Sequence, residues 1–98
     1  MEKFNALSEI KNKISAVAQQ YGIQKAYVFG SYARGDAVQD SDIDICIEKG
    51  EIRTLFKFSG FCQDMEEALG NKIDVLTTAG MSSDFRNKVE KEMILVYE

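Results

Sequence analysis

Asp42 and Asp44 stand two residues apart in Ser41-Asp42-Ile43-Asp44-Ile45-Cys46-Ile47-Glu48, where apolar and polar side chains alternate. Alternation of this kind marks a half-buried strand, with the three isoleucines facing a core and the aspartates on the other face. Residues i and i+2 of a strand have Cα atoms about 6.6 Å apart, so both carboxylates can lean onto shared cations. A two-metal site, with ions about 3.5–4 Å apart, needs such a pair. Taken alone, an Asp-x-Asp is more often a loop end and a solvated strand face. Asp74 adds a third carboxylate in Lys72-Ile73-Asp74-Val75-Leu76-Thr77. By alternation it points away from Ile73 and Val75, either simply to solvent or toward the face that carries Asp42 and Asp44.

Three converging aspartates repel one another. At an effective dielectric near 20, each pair about 6 Å apart costs about 2–3 kcal/mol. Convergence therefore implies a hard divalent cation, and oxygen ligands together with phosphate suit Mg²⁺ best. Gly30-Ser31 follows an apolar segment and opens a short helical stretch. Glycine lets the backbone approach a ligand closely, and the serine hydroxyl and free N–H groups of a first turn can hold phosphate oxygens. In most proteins Gly-Ser is merely a turn. If it is more here, a larger side chain at Gly30 should block a triphosphate and still leave metal binding to the carboxylates.

The rest of the composition narrows the chemistry. The 98 residues contain no histidine. His-based acyl-transfer triads, His-ligated zinc and imidazole proton shuttles are thereby excluded. The net charge is −4, with acidic and basic residues interleaved and no Lys/Arg block. A polynucleotide groove normally carries a basic stripe, so a nucleic-acid template or product is disfavoured, whereas a nucleotide entering as its metal complex is compatible. Cys46 and Cys62 lack metal-site spacing and read as free thiols of a cytoplasmic protein, Cys46 as a small buried hydrophobe. The Met1-Glu2-Lys3-Phe4 start shows no basic-then-apolar secretory pattern, and no apolar run is long enough for a bilayer.

One domain over residues 1–98 is expected to position these groups. Helical periodicity runs over Leu7 to Tyr21, with Gly22 as a stop, and a strand over Gln24 to Phe29 has Ala26 and Val28 inward. The short helix after Gly30-Ser31 ends at Gly35, and Asp36 to Ser41, Asp40 included, is polar loop. After the aspartate strand, a second long helix over Ile52 to Leu69 uses Leu55, Phe58, Cys62, Met65 and Leu69 inward and closes at Gly70. Phe56, Phe58 and Phe61 read as core and interface rather than as a base-stacking platform. The strand over Lys72 to Thr77 precedes a helix capped by Ser82 or Ser83 and running to about Glu92, and Met93 to Tyr97 forms a last strand. The order implies an α/β domain, a small mixed sheet with flanking helices. Tyr27, Phe29, Cys46 and Leu76 then share a sheet face that is too apolar for solvent, and a homo-oligomer or a separate partner is expected to cover it.

The combination Gly30-Ser31-Tyr32-Ala33-Arg34-Gly35-Asp36, ten residues from Ser31 to Asp42, then Ser41-Asp42-Ile43-Asp44-Ile45, resembles the signature of the DNA polymerase β-like nucleotidyltransferase superfamily. The fuller pattern is similar to the minimal nucleotidyltransferases, and Lys72-Ile73-Asp74-Val75-Leu76 matches their third-carboxylate strand. The resemblance implies that Gly30 and Ser31 hold the triphosphate of ATP and that Asp42 and Asp44 bind two Mg²⁺ ions. Asp74 would assist one metal and favour deprotonation of the acceptor hydroxyl. Arg34 would either reach a phosphate or pair with Asp36. The resemblance also implies a HEPN-domain toxin as partner, silenced by transfer of AMP onto one of its tyrosines. A transferase for a small, antibiotic-like molecule and a non-catalytic partner-binding module are the alternative readings.

Overall fold

The computed structural model describes residues 7–38 and 41–98, so the Met1–Phe4 segment and Asp40 lie outside the described residues. Helix α1 (Leu7–Tyr21) buries Ile10, Ile14, Val17 and Ala18, the stripe expected from its periodicity. Strand β1 (Lys25–Phe29) leads into the four-residue helix α2 (Ser31–Arg34), which Gly35 ends in the left-handed conformation, φ 85°. Strand β2 (Ile43–Glu48) follows, then helix α3 (Leu55–Leu69) and strand β3 (Ile73–Thr77). A 3-10 turn over Thr78–Gly80, helix α4 (Ser83–Glu90) and strand β4 (Ile94–Tyr97) complete the described chain.

The sheet is mixed, in the order β3-β2-β1-β4. β1 pairs antiparallel with β2 and β4, and β2 pairs parallel with β3. A parallel pair requires a crossover, and α3 supplies it. One face of the sheet is closed by α1 and α3. Ile43, Ile45 and Ile47 meet Ile10, Ile14, Phe61 and Met65 there, all at 0% exposure, which leaves the even-numbered β2 residues Asp44 and Cys46 on the opposite face.

Three expectations change. The second long helix starts at Leu55, because Thr54 caps it: Thr54 Oγ1 accepts from the Lys57 N–H at 3.1 Å. Ile52 remains a core residue from the preceding turn, whereas Leu55 and Phe56 are 84% and 90% exposed and contribute nothing to the core. Phe61 is core, and Phe58 is half-buried. The second change concerns the apolar face of Tyr27, Phe29, Cys46 and Leu76. The chain covers part of it itself: Val89 of α4, with Met81 and Met93 on either side of that helix, packs against Phe29 and Cys46. Phe85 adds an edge-on contact to Phe29, with ring centroids 6.5 Å apart. Phe29 and Cys46 are buried in this way without a second copy or a partner, while Tyr27 and Leu76 stay half-buried. α4 itself is capped by Ser82, whose Oγ accepts from the Phe85 N–H at 3.2 Å, and it ends at Glu90, two residues before the expected Glu92.

Candidate active site

Register brings the acidic strands together on the face that α4 partly covers. Asp44 is the lateral neighbour of Phe29 on one side and of Asp74 on the other. Asp42 precedes β2 by one residue at the same end of the sheet. Asp42 and Asp74 are exposed, and Asp44 is half-buried. Burial raises the Asp44 carboxyl above the usual aspartate range. The charges of Asp74 and then Asp42 push the same way, and Arg34 opposes them. The charges of both neighbouring aspartates thus bear on Asp44.

The β1–α2 junction closes against this cluster. Gly30 has φ 74° and ψ −149°, a backbone region open essentially to glycine alone. A Cβ at Gly30 would overlap Oδ2 of Asp44. The glycine is therefore required first by the carboxylate and only then by any ligand. This corrects the expectation that a side chain at Gly30 would spare the metal-binding groups: it would displace one of them.

Gly30, Ser31, Arg34, Asp42 and Asp44 line one open cleft of about 460 Å³. Asp74 does not line it and flanks it instead through its pairing with Asp44. The remaining wall comes from α4 and the turn after it, through Phe85, Lys88, Val89 and Glu92. Arg34 satisfies one of its two expected roles, pairing with Asp36 at 3.3 Å, while its Nη1 also lies 3.4 Å from Glu92. Among the described residues no three His, Cys, Asp or Glu side chains are grouped closely enough to hold a metal ion by themselves, Asp42, Asp44 and Asp74 included. An all-oxygen donor set facing an open cleft fits a hard cation that takes part of its coordination from phosphate and water. Asp42 and Asp44, with Asp74 beside them, are the residues that would hold it.

Asn71 escaped the sequence reading. It follows the left-handed Gly70 that ends α3, a position that reads as turn. Its Nδ2 donates to the Ser41 carbonyl at 3.0 Å and to the Tyr32 hydroxyl at 3.3 Å. One amide thus ties the entry to Asp42 to the helix that carries Ser31. The loop is drawn in further by Ser41, whose Oγ accepts from the Val38 N–H at 2.9 Å. Asn71→Ala should lower unfolding free energy by about 1–2 kcal/mol, as two part-buried hydrogen bonds are lost. Unchanged denaturant stability would show that the clamp is not formed. Lys88 and Glu92 were missed too, because more than fifty residues separate them from Gly30-Ser31 and no local pattern links the two.

Comparison with known proteins identifies the fold. The family model described as polymerase beta, nucleotidyltransferase, matches residues 12–98. The protein adenylyltransferase MntA of Thermococcus cleftensis is 33% identical over 94 residues, covering 92% of this chain and 95% of that protein. A solved structure of a candidate minimal nucleotidyltransferase is 31% identical, with a TM-score of 0.78 and 90% of each chain covered. The fold also matches, at a TM-score of 0.69 and 21% identity, a structure of tri-AMPylated Shewanella oneidensis HEPN toxin in complex with MNT antitoxin; 91% of this chain and 70% of that one are covered. No helix among the described residues is long and apolar enough to cross a membrane. With a family match over nearly its whole length and relatives above 30% identity, the chain belongs to the polymerase β-type nucleotidyltransferases, in their minimal form.

Proposed function

We propose that this protein transfers AMP from Mg²⁺-bound ATP to a tyrosine hydroxyl of a HEPN-domain partner and thereby silences it as an antitoxin. The observation that carries the reading is the fit of Gly30 against Asp44, which brings the Gly30-Ser31 turn and the acidic strand to one cleft. Relatives named as protein adenylyltransferases and an AMPylated HEPN complex among the solved neighbours support the acceptor class.

Gly30 and Ser31 would receive the triphosphate, with Arg34 and Lys88 as the cations lining the cleft beside them. Asp42 and Asp44 would hold the metal, and Asp74 would orient the acceptor hydroxyl and take up its proton. When bound, two Mg²⁺ ions would neutralise charge on the attacking and leaving oxygens of an in-line displacement at the α-phosphorus, with pyrophosphate leaving. The absence of histidine is compatible, since this chemistry depends mainly on positioning and charge neutralisation.

The metal requirement is tested without the partner. Mg²⁺ with ATP at a hundredfold excess over Kd should stabilise the fold by about 2.7 kcal/mol through mass action. ATP in the presence of a chelator should give little of that gain. Equal thermal shifts with and without Mg²⁺ would remove the metal from the site.

A further inference from the structure

Glu92 is a carboxylate in the cleft with no part in the chemistry above. It leaves the turn after α4, where the Glu92 and Met93 amides both donate to the Val89 carbonyl, at 2.9 and 3.0 Å. Val89 is itself 3% exposed and packed against Phe29 and Cys46, so the turn is anchored in the smaller core. From there Glu92 Oε1 accepts from the Gly30 N–H at 3.1 Å and lies 3.4 Å from Arg34 Nη1, and Oε2 lies 3.5 Å from the same nitrogen.

The placement runs against simple electrostatics. A negative side chain has entered a cleft that already holds Asp42 and Asp44, and its charge adds to the repulsion on Asp44. What holds it there is a backbone amide and a guanidinium converging on one carboxylate. A phosphate oxygen carries the same charge and accepts from the same donors. The Gly30 amide opens the turn assigned to the triphosphate, and it cannot serve Glu92 and a phosphate fully at once.

We propose that Glu92 is an internal stand-in for the triphosphate: it occupies the Gly30 amide and Arg34 in the free protein, and an incoming metal–polyphosphate must displace it. Glu92 is then a positioning residue that sets nucleotide affinity and holds the β1–α2 junction in its receiving shape. The inference rests on the nucleotide reading of the cleft. It also gives Arg34 a sequence of partners, with Glu92 before loading and phosphate after, while Asp36 steadies the guanidinium in both.

Calorimetry on the full chain and on Glu92→Gln and Glu92→Ala tests this, with an ATP analogue made unreactive between the α- and β-phosphorus. Removing the competitor should tighten binding of the Mg²⁺–analogue complex roughly tenfold in Glu92→Ala, and less in Glu92→Gln, whose amide oxygen still accepts from Gly30. Mg²⁺ alone should bind Glu92→Ala no better than the parent, because a nearby negative charge has gone. A merely structural role would move both affinities in the same direction. Glu92→Gln keeps the side-chain shape and decides the matter if Glu92→Ala does not fold. Analogue affinity that is equal or lower in the folded variants overturns the proposal. A parent protein that binds Mg²⁺ but no analogue overturns the nucleotide reading and this proposal with it.

Discussion

Asp44→Asn is expected to make the free protein more stable and the enzyme nearly inactive. The stability half follows from the raised carboxyl. Burial, Asp74 and Asp42 all disfavour the charged form of Asp44 in the folded protein. A folded-state pKa above the unfolded value means that the native chain binds this proton more tightly. The associated stability is complete below the ordinary aspartate range and is lost as pH rises through the raised value. At neutral pH the free protein therefore carries an ionised, crowded carboxylate, which asparagine relieves at almost the same size. The melting temperature of the metal-free variant should rise at pH 7, and its advantage should shrink as the pH falls through the window. The activity half follows from the lost ligand: with about 4 kcal/mol of transition-state charge stabilisation removed, transfer should fall roughly a thousandfold. A variant that melts lower than the parent at pH 7 would contradict the crowding, and one that retains full activity would remove Asp44 from the site.

Gly30→Ala is the second large effect, and it should damage fold and site together. The backbone at φ 74° and ψ −149° is one that alanine adopts only under strain of about 1–3 kcal/mol. The new Cβ would also overlap Asp44 Oδ2, and Asp44 can yield only by turning its carboxylate out of its present position. Loss of Mg²⁺ affinity should therefore accompany loss of nucleotide affinity. Retention of full Mg²⁺ affinity beside weakened ATP binding would show that the glycine serves the ligand alone. Ser31→Ala adds no strain and should be milder, on the scale of about 0.5–1.5 kcal/mol for one hydrogen bond.

Much of this arrangement was legible in the chain because it is written locally. The Ile43, Ile45 and Ile47 alternation set which face of β2 is core and left Asp44 and Cys46 on the other. The α1 stripe and its stop were readable in the same way. Where the reading failed, the cause was tertiary. α4 has only eight residues and one buried side chain, Val89, so its sequence gives little sign that it closes the Phe29–Cys46 face. The sequence therefore leaves to a second copy or a partner a surface of which the protein covers the Phe29–Cys46 part by itself. Leu55 fits the helical period of α3, yet Thr54 begins the helix in a place where that position faces solvent. Asn71 and Glu92 act across 30 and 62 residues of chain, as donor to Ser41 and acceptor from Gly30 respectively. Such links follow from how α3 and α4 dock, and no spacing rule reports them.

Intact-mass spectrometry of a HEPN-domain partner, incubated with this protein, Mg²⁺ and ATP, tests the central claim most directly. The partner should gain one or more AMP masses and lose its toxicity, with pyrophosphate appearing in step. The variant with alanine at Asp42, Asp44 and Asp74 should still bind the partner and add no mass. The account is contradicted if the partner is bound and silenced without any added mass, and the triple variant silences it equally well.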